Sequence, residues 1–184
     1  ALSQPMGHTA GPETAVCETA VAFWQQVAGY AAQFNVDRPR IFDQLTPSLR
    51  RIDSHSDGFI ERVDMTIGFR LPPEIDIDAL QTTVLGWAGD AQITFRGREV
   101  AFRGSRSSEL ARAFVRALSE EGVKAQFKVK SGTSDMNVVG PVWGCPILAY
   151  GPGDSAFDHT PHEHIDLDDY HRAIQVLTHV LAHL

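Results

Sequence analysis

Two periods of apolar residues divide this chain into elements. Val16, Ala20, Phe23, Trp24, Val27 and Ala31 recur three and four residues apart, which places them on one face of a helix from about Pro12 to Phe34. Pro12 suits the first turn of that helix, where its missing N–H has no partner to lose. An extended stretch near 44–55 then meets Asp57-Gly58, a dipeptide suited to the positive φ angles of a tight hairpin. On the return, Val63, Met65, Ile67 and Phe69 alternate with Asp64, Thr66, Gly68 and Arg70, so one face of the strand is core. Pro72-Pro73 ends it. Asp78 with Gln81 three residues on forms a capping-box pattern, opening a helix that carries Leu80, Val84, Leu85 and Ala88. Residues 92–102 read as another strand, with Ile93 and Phe95 alternating against Thr94 and Arg96.

With a short strand over 2–8, this order is the split βαβ plan: a ferredoxin-like layer of four strands with two helices on one face. Arg103-Gly104-Ser105 breaks the pattern and marks a boundary between domains 1–102 and 103–184. The second part predicts a helix over 107–121 with Leu110, Phe114, Ala117 and Leu118 on one face, strands over 124–130 and 146–150, and a Gly/Ser turn over 131–137. A last helix over 166–183 turns Tyr170, Ile174, Leu177, Val180 and Leu181 inward. Helices alternating with apolar strands imply an α/β layer. Two strands are too few for its sheet, so this part is expected to expose an apolar sheet edge. The fold class is α+β.

Composition narrows the partners. Of 184 residues, 43% are hydrophobic and 21% charged, ordinary values for a globular chain long enough for a real core. The 23 acids outnumber 16 Lys and Arg, and a net charge of −7 argues against nucleic acid or an anionic membrane as partner. Cys17 and Cys145 have apolar neighbours and no CxxC spacing, which predicts buried, reduced thiols and, with no export signal in view, a cytoplasmic location.

The candidate chemistry gathers after the apolar run 146–150. From Asp154 to His164, three histidines and three acids fall in a loop whose backbone is shaped by Gly and Pro. Imidazole is the commonest nitrogen ligand for zinc, and carboxylates complete hydrolytic sites. Gly151-Pro152-Gly153-Asp154-Ser155, followed by His159-Thr160-Pro161-His162-Glu163, resembles the closing motif of the acetylornithine deacetylase and succinyl-diaminopimelate desuccinylase family of zinc amidohydrolases. Lys130-Ser131-Gly132-Thr133-Ser134-Asp135-Met136-Asn137 with Val142-Trp143 is similar to its N-acetyl-lysine deacetylase branch, whose members release lysine or ornithine from an amino-group carrier protein.

The resemblance implies roles residue by residue. His159 is the metal ligand of the His-Thr-Pro-x-Glu motif, and Glu163 supports the loop. His8, in Gly7-His8-Thr9, matches a lid histidine that reaches into the neighbouring subunit's site and polarises the scissile carbonyl. Arg70 stands where the lid places an arginine for the substrate carboxylate, for which its planar fork is suited. Gly132, Thr133 and Ser134 match a loop whose amides and hydroxyls approach the substrate. The family carries two zinc ions, with cobalt as an alternative, and dimerises through its ferredoxin-like lid. Members begin with a catalytic segment holding the remaining ligands and the glutamate base. Six residues before Gly7 cannot hold that segment, so the chain reads as the C-terminal half: the lid, then the last part of an α/β zinc-peptidase-like domain.

The function expected of the parent is metal-dependent removal of an acyl or carrier group from the amino group of lysine or ornithine. The substrate would be a small N-acyl amino acid or a carrier protein, and the homodimer would form through the lid. The fragment itself is expected to bind metal weakly at most and to hydrolyse nothing. Two other readings stand beside this one: a non-catalytic dimerisation module, and a self-contained metal binder using His159, His162 and His164.

Overall fold

The computed structural model describes residues 1–7, 14–129 and 132–184. It is a mixed α/β chain whose described part holds one three-stranded antiparallel sheet and five α-helices. Two compact units emerge, one over Ala1–Ala101 with Gly132 and Thr133, and one over Phe102–Val129 with Ser134–Leu184.

In the first unit β1 (Leu2–Pro5), β2 (Thr46–Ser56) and β3 (Ile60–Arg70) form the sheet in the order β1-β3-β2. The hairpin closes where Asp57-Gly58 stands. Gly58 takes φ 91°, and Asp57 Oδ1 accepts the backbone N–H groups of Phe59 and Ile60, both at 2.8 Å. Pairing runs from Thr46 opposite Arg70 to Ser56 opposite Glu61, with a bulge between Leu49 and Arg51. Helix α1 (Val16–Phe34) buries Val16, Ala20, Val27 and Ala31, the face its spacing predicts, while Phe23 and Trp24 are half-buried. The expected start at Pro12 lies outside the described residues. Glu61 of β3 accepts the N–H of Val16 at 3.3 Å, setting a carboxylate at the positive end of α1. After α1, the Asn35 amide bonds both the N–H and C=O of Leu45 at 2.9 Å, and so satisfies the backbone of a fully buried residue.

Helix α2 (Ile77–Gly86) begins one residue before the expected Asp78. Its cap is Asp76, whose carboxylate accepts the Ala79 N–H at 2.9 Å. Leu80 and Val84 join Ala31 and Leu45 in the core, with Ile93 and Phe95 packed against them. A cavity of about 940 Å³, whose lining includes Phe23, Met65, Ile67, Leu80 and Trp87, separates parts of the helical and sheet faces. That gap explains why Met65, Ile67 and Phe69 on the inward face of β3 are only half-buried.

The expected fourth strand is a correction. Residues 92–101 form no ladder: Gln92 exchanges two backbone bonds with Ala1, at 2.8 and 2.9 Å, and the Ala101 N–H donates to the Leu71 carbonyl at 3.1 Å. The first is one antiparallel pair beside β1. Gly97 with φ 70° then interrupts the extended path that a ladder requires.

In the second unit, α3 (Glu109–Glu120) is capped by Ser108, whose Oγ accepts the Ala111 N–H at 3.1 Å. It packs against α5 (Leu167–Ala182) through Ala113, Phe114, Ala117, Val176 and Val180, with Leu148 and Tyr150 laid over the seam. Asp166 caps α5 through the N–H groups of Asp168 and Asp169. Neither 124–129 nor 146–150 is a strand, because a strand needs a hydrogen-bonded neighbour and this unit supplies none among the described residues. The stretch expected to be a turn instead leads into α4 (Asp135–Trp143), hidden from periodicity by Gly140 and Pro141. Gly140 is required by packing, since a Cβ there would meet the Phe102 ring at 2.8 Å.

Two further expectations fail. Cys17 and Cys145 are both exposed thiols. Cys17 stands one position past Val16 and so turns off the buried face of α1, and Cys145 follows the left-handed Gly144 that ends α4. On α5 the buried positions are Ala173, Val176 and Val180, while Tyr170, Ile174, Leu177 and Leu181 are exposed. Val180 is buried as expected, but the other four residues of the expected face turn outward, so a helix carries much of the apolar surface left open, beside Phe127 and Val129.

Candidate metal-ligand loop

The loop between Tyr150 and α5 is built by short-range hydrogen bonds. Gly153 at φ 90° turns the chain, and the Asp154 carbonyl accepts from Phe157 N at 3.0 Å while its carboxylate accepts from Ala156 N at 3.0 Å. The Phe157 carbonyl accepts the Thr160 N–H at 3.0 Å and the Thr160 hydroxyl at 2.8 Å. Successive turns thus carry the chain through His159. The His164 ring then packs on Phe157, centroids 5.4 Å apart, and its Nδ1 donates to the His162 carbonyl at 2.7 Å.

His159 stands out within this frame. Its φ is 63°, the one left-handed non-glycine conformation among the described residues. The conformation is held by Glu163, whose Oε2 accepts the His159 N–H at 3.0 Å. A side chain at such a position is strained by about 1–2 kcal/mol. A glycine would remove the strain. The side chain is exposed, so its ring is open to a ligand. His162 and His164 are exposed as well, but among the described residues no three His, Cys, Asp or Glu side chains converge on one metal position.

The other candidates stand on separate elements. Arg70 ends β3, opposite Thr46 and exposed. Gly132 and Thr133 are exposed, and Ser134 caps α4, its N–H bonded to the Asn137 Oδ1 at 2.8 Å. That reciprocal cap buries Asn137 and leaves the Ser134 residue exposed. His8 lies outside the described residues. Glu163, expected to support the loop, does so through the His159 N–H.

The comparisons with known proteins bear on this loop. The profile of peptidase family M20/M25/M40 matches residues 7–183. The chain belongs to that family. It is 44% identical over 182 residues to the LysW-lysine hydrolase of Deinococcus radiodurans, covering 96% of this chain and 50% of the relative. It is 37% identical over 143 residues to a putative LysW-lysine/LysW-ornithine hydrolase of Thermococcus kodakarensis, covering 78% of this chain and 38% of that one. The chain thus spans half or less of the length of these M20/M25/M40 relatives. Its fold is similar to that of an M20 family metallo-carboxypeptidase from Sulfolobus solfataricus, with a TM-score of 0.64 and 19% identity over 92% of this chain and 45% of the other.

Proposed function

We propose that this chain is the lid and the closing part of a metal-dependent amidohydrolase that frees the amino group of lysine or ornithine from an acyl group or a carrier protein. The observation that carries the reading is the left-handed His159, held by Glu163 within the family motif. The names of the two relatives support lysine or ornithine joined to a carrier as the substrate class.

In this reading His159 holds one of two metal ions, with zinc the first choice and cobalt the alternative. The bound metal supplies a polarised carbonyl and a water made acidic enough to attack at neutral pH. Glu163 keeps the His159 backbone fixed, so the imidazole meets its ligand without a search through conformations. Arg70 takes the substrate carboxylate, and Gly132, Thr133 and Ser134 approach its polar atoms. His8 donates to the developing oxyanion. The remaining ligands and the base come from the part of the relatives that this chain does not span. The exposed stripe of Tyr170, Ile174, Leu177 and Leu181 supports such a companion, since an apolar helix face of that length ordinarily packs against protein. The 184-residue chain alone hydrolyses nothing.

The lid is the first unit, in which three of the four expected strands form. Its edge strand β2 is eleven residues long and mostly exposed, with Leu49 and Ile52 on the surface, which supports a homodimer formed across that edge. The same observation favours the second reading, a dimerisation module without catalysis.

One experiment separates the two readings. Metal content, and metal-dependent release of lysine from N-acetyl-lysine and from a carrier-linked lysine, are measured for the product of the full reading frame beside the 184-residue chain. Hydrolysis by the longer product alone, with about two metal ions per chain more than the 184-residue chain holds, supports the hydrolase. Hydrolysis by the isolated chain, or none by either, overturns it.

A further inference from the structure

The two helices of the second unit bring a second group of ligands together at their ends. Glu120 is the last residue of α3, and its Oε2 lies 2.8 Å from Nδ1 of His179 in the last turn of α5. His183, one turn further, stacks its ring on His179 with centroids 4.3 Å apart and planes inclined by 21°. Its Nδ1 lies 2.8 Å from the carbonyl oxygen of His179.

These contacts set both tautomers. A carbonyl oxygen only accepts, so His183 carries its proton on Nδ1. An ionised carboxylate only accepts, so His179 does the same. Each neutral ring is left with the lone pair on Nε2. Two imidazoles four residues apart share one helix face, and each presents a nitrogen suited to a transition metal. The rings are stacked with centroids 4.3 Å apart, so they must turn out of the stack for both in-plane lone pairs to meet one ion at about 2.1 Å. A cleft of about 380 Å³, lined by Ala113, Arg116, Glu120, His179, Val180 and His183, has room for the ion and its waters. The C-terminal ends of α3 and α5 both turn negative partial charge toward it. Arg116 is the opposing cation, and Glu120 offsets it.

We propose that His179 and His183 chelate one divalent transition metal such as Zn²⁺ or Ni²⁺, with Glu120 as the positioning residue that holds His179 in its ligating tautomer. Water completes the coordination. The ion locks the end of α5 to α3. The inference does not involve His159 and stands whether or not the hydrolase reading does.

The test is calorimetric titration of the untagged, metal-stripped 184-residue chain with Ni²⁺ and with Zn²⁺, paired with melting curves. Expected is one binding event that survives H159Q/H162Q/H164Q, is lost in H179Q and in H183Q, and weakens about 10- to 100-fold in E120Q. Metal should raise the melting temperature of the chain and of the loop variant, but not of H179Q. Melting in EDTA shows whether each variant folds, and these exposed or half-exposed positions tolerate glutamine. Binding that persists undiminished in H179Q/H183Q, or that vanishes in the loop variant, overturns the proposal.

Discussion

The conformation of His159 is a test of its own task. If the left-handed backbone is held for the imidazole, His159→Gly relieves about 1–2 kcal/mol of strain and returns about 0.4–1 kcal/mol through the freer unfolded chain. The variant chain is therefore expected to be more stable by up to roughly 1 kcal/mol in denaturant melts, while the full-length enzyme loses a metal ion and its activity. A destabilised glycine variant would show that the imidazole serves the fold. Asp57 makes a different prediction. The N–H groups of Ile60 and Phe59 hold its carboxyl below the usual carboxylate range. A lowered folded value means that its contribution is present above the unfolded value near 4 and is lost as pH falls through the folded one. Between pH 7 and pH 3 the melting temperature of Asp57→Asn should therefore fall less than that of the unaltered chain, because an amide oxygen accepts the same bonds without titrating.

At the scale of elements, α5 separates two kinds of apolar position. Val176 is 0% exposed against α3, and Val176→Ala should lower stability by about 1–2 kcal/mol, read from the urea midpoint. Leu181 is 74% exposed, and Leu181→Glu should leave the chain's own midpoint within about 0.5 kcal/mol. The same substitution should abolish co-purification with the complementary half of the family fold, supplied as a separate chain. The periodicity of α5 was legible, but its rotation was not. Tyr170, Ile174, Leu177 and Leu181 match a helical stripe as well as Ala173, Val176 and Val180 do, and small residues carry little weight in a hydrophobic pattern. Only the fit of Ala113 and Ala117 on α3 selects the alanine and valine face.

Across the whole molecule, the prediction concerns assembly. If the first unit dimerises across β2, the hydrodynamic mass of the chain should double over a rise in concentration, and Leu49→Lys with Ile52→Glu should hold it monomeric. A concentration-independent monomer would remove the dimer from the proposed function. No helix of the described residues is long and apolar enough to cross a membrane.

Local chemistry made much of this protein readable from its sequence: the α1 face, the Asp57-Gly58 hairpin, the inward residues of β3 and the motif that marks His159. Each depends on neighbours a few residues away, where spacing and side-chain type suffice. The strands expected at 92–102, 124–130 and 146–150 depend on partners distant in sequence, and without a complete ladder an apolar run stays irregular. Cys17 shows the same limit, since apolar neighbours along the chain do not decide which way a helical side chain turns. Tertiary structure alone revealed the left-handed strain at His159 and the meeting of Glu120 with His179 and His183. The contact between two helix ends arises from packing, which no local pattern records, and the torsion at His159 is set by short-range hydrogen bonds that residue type alone does not announce.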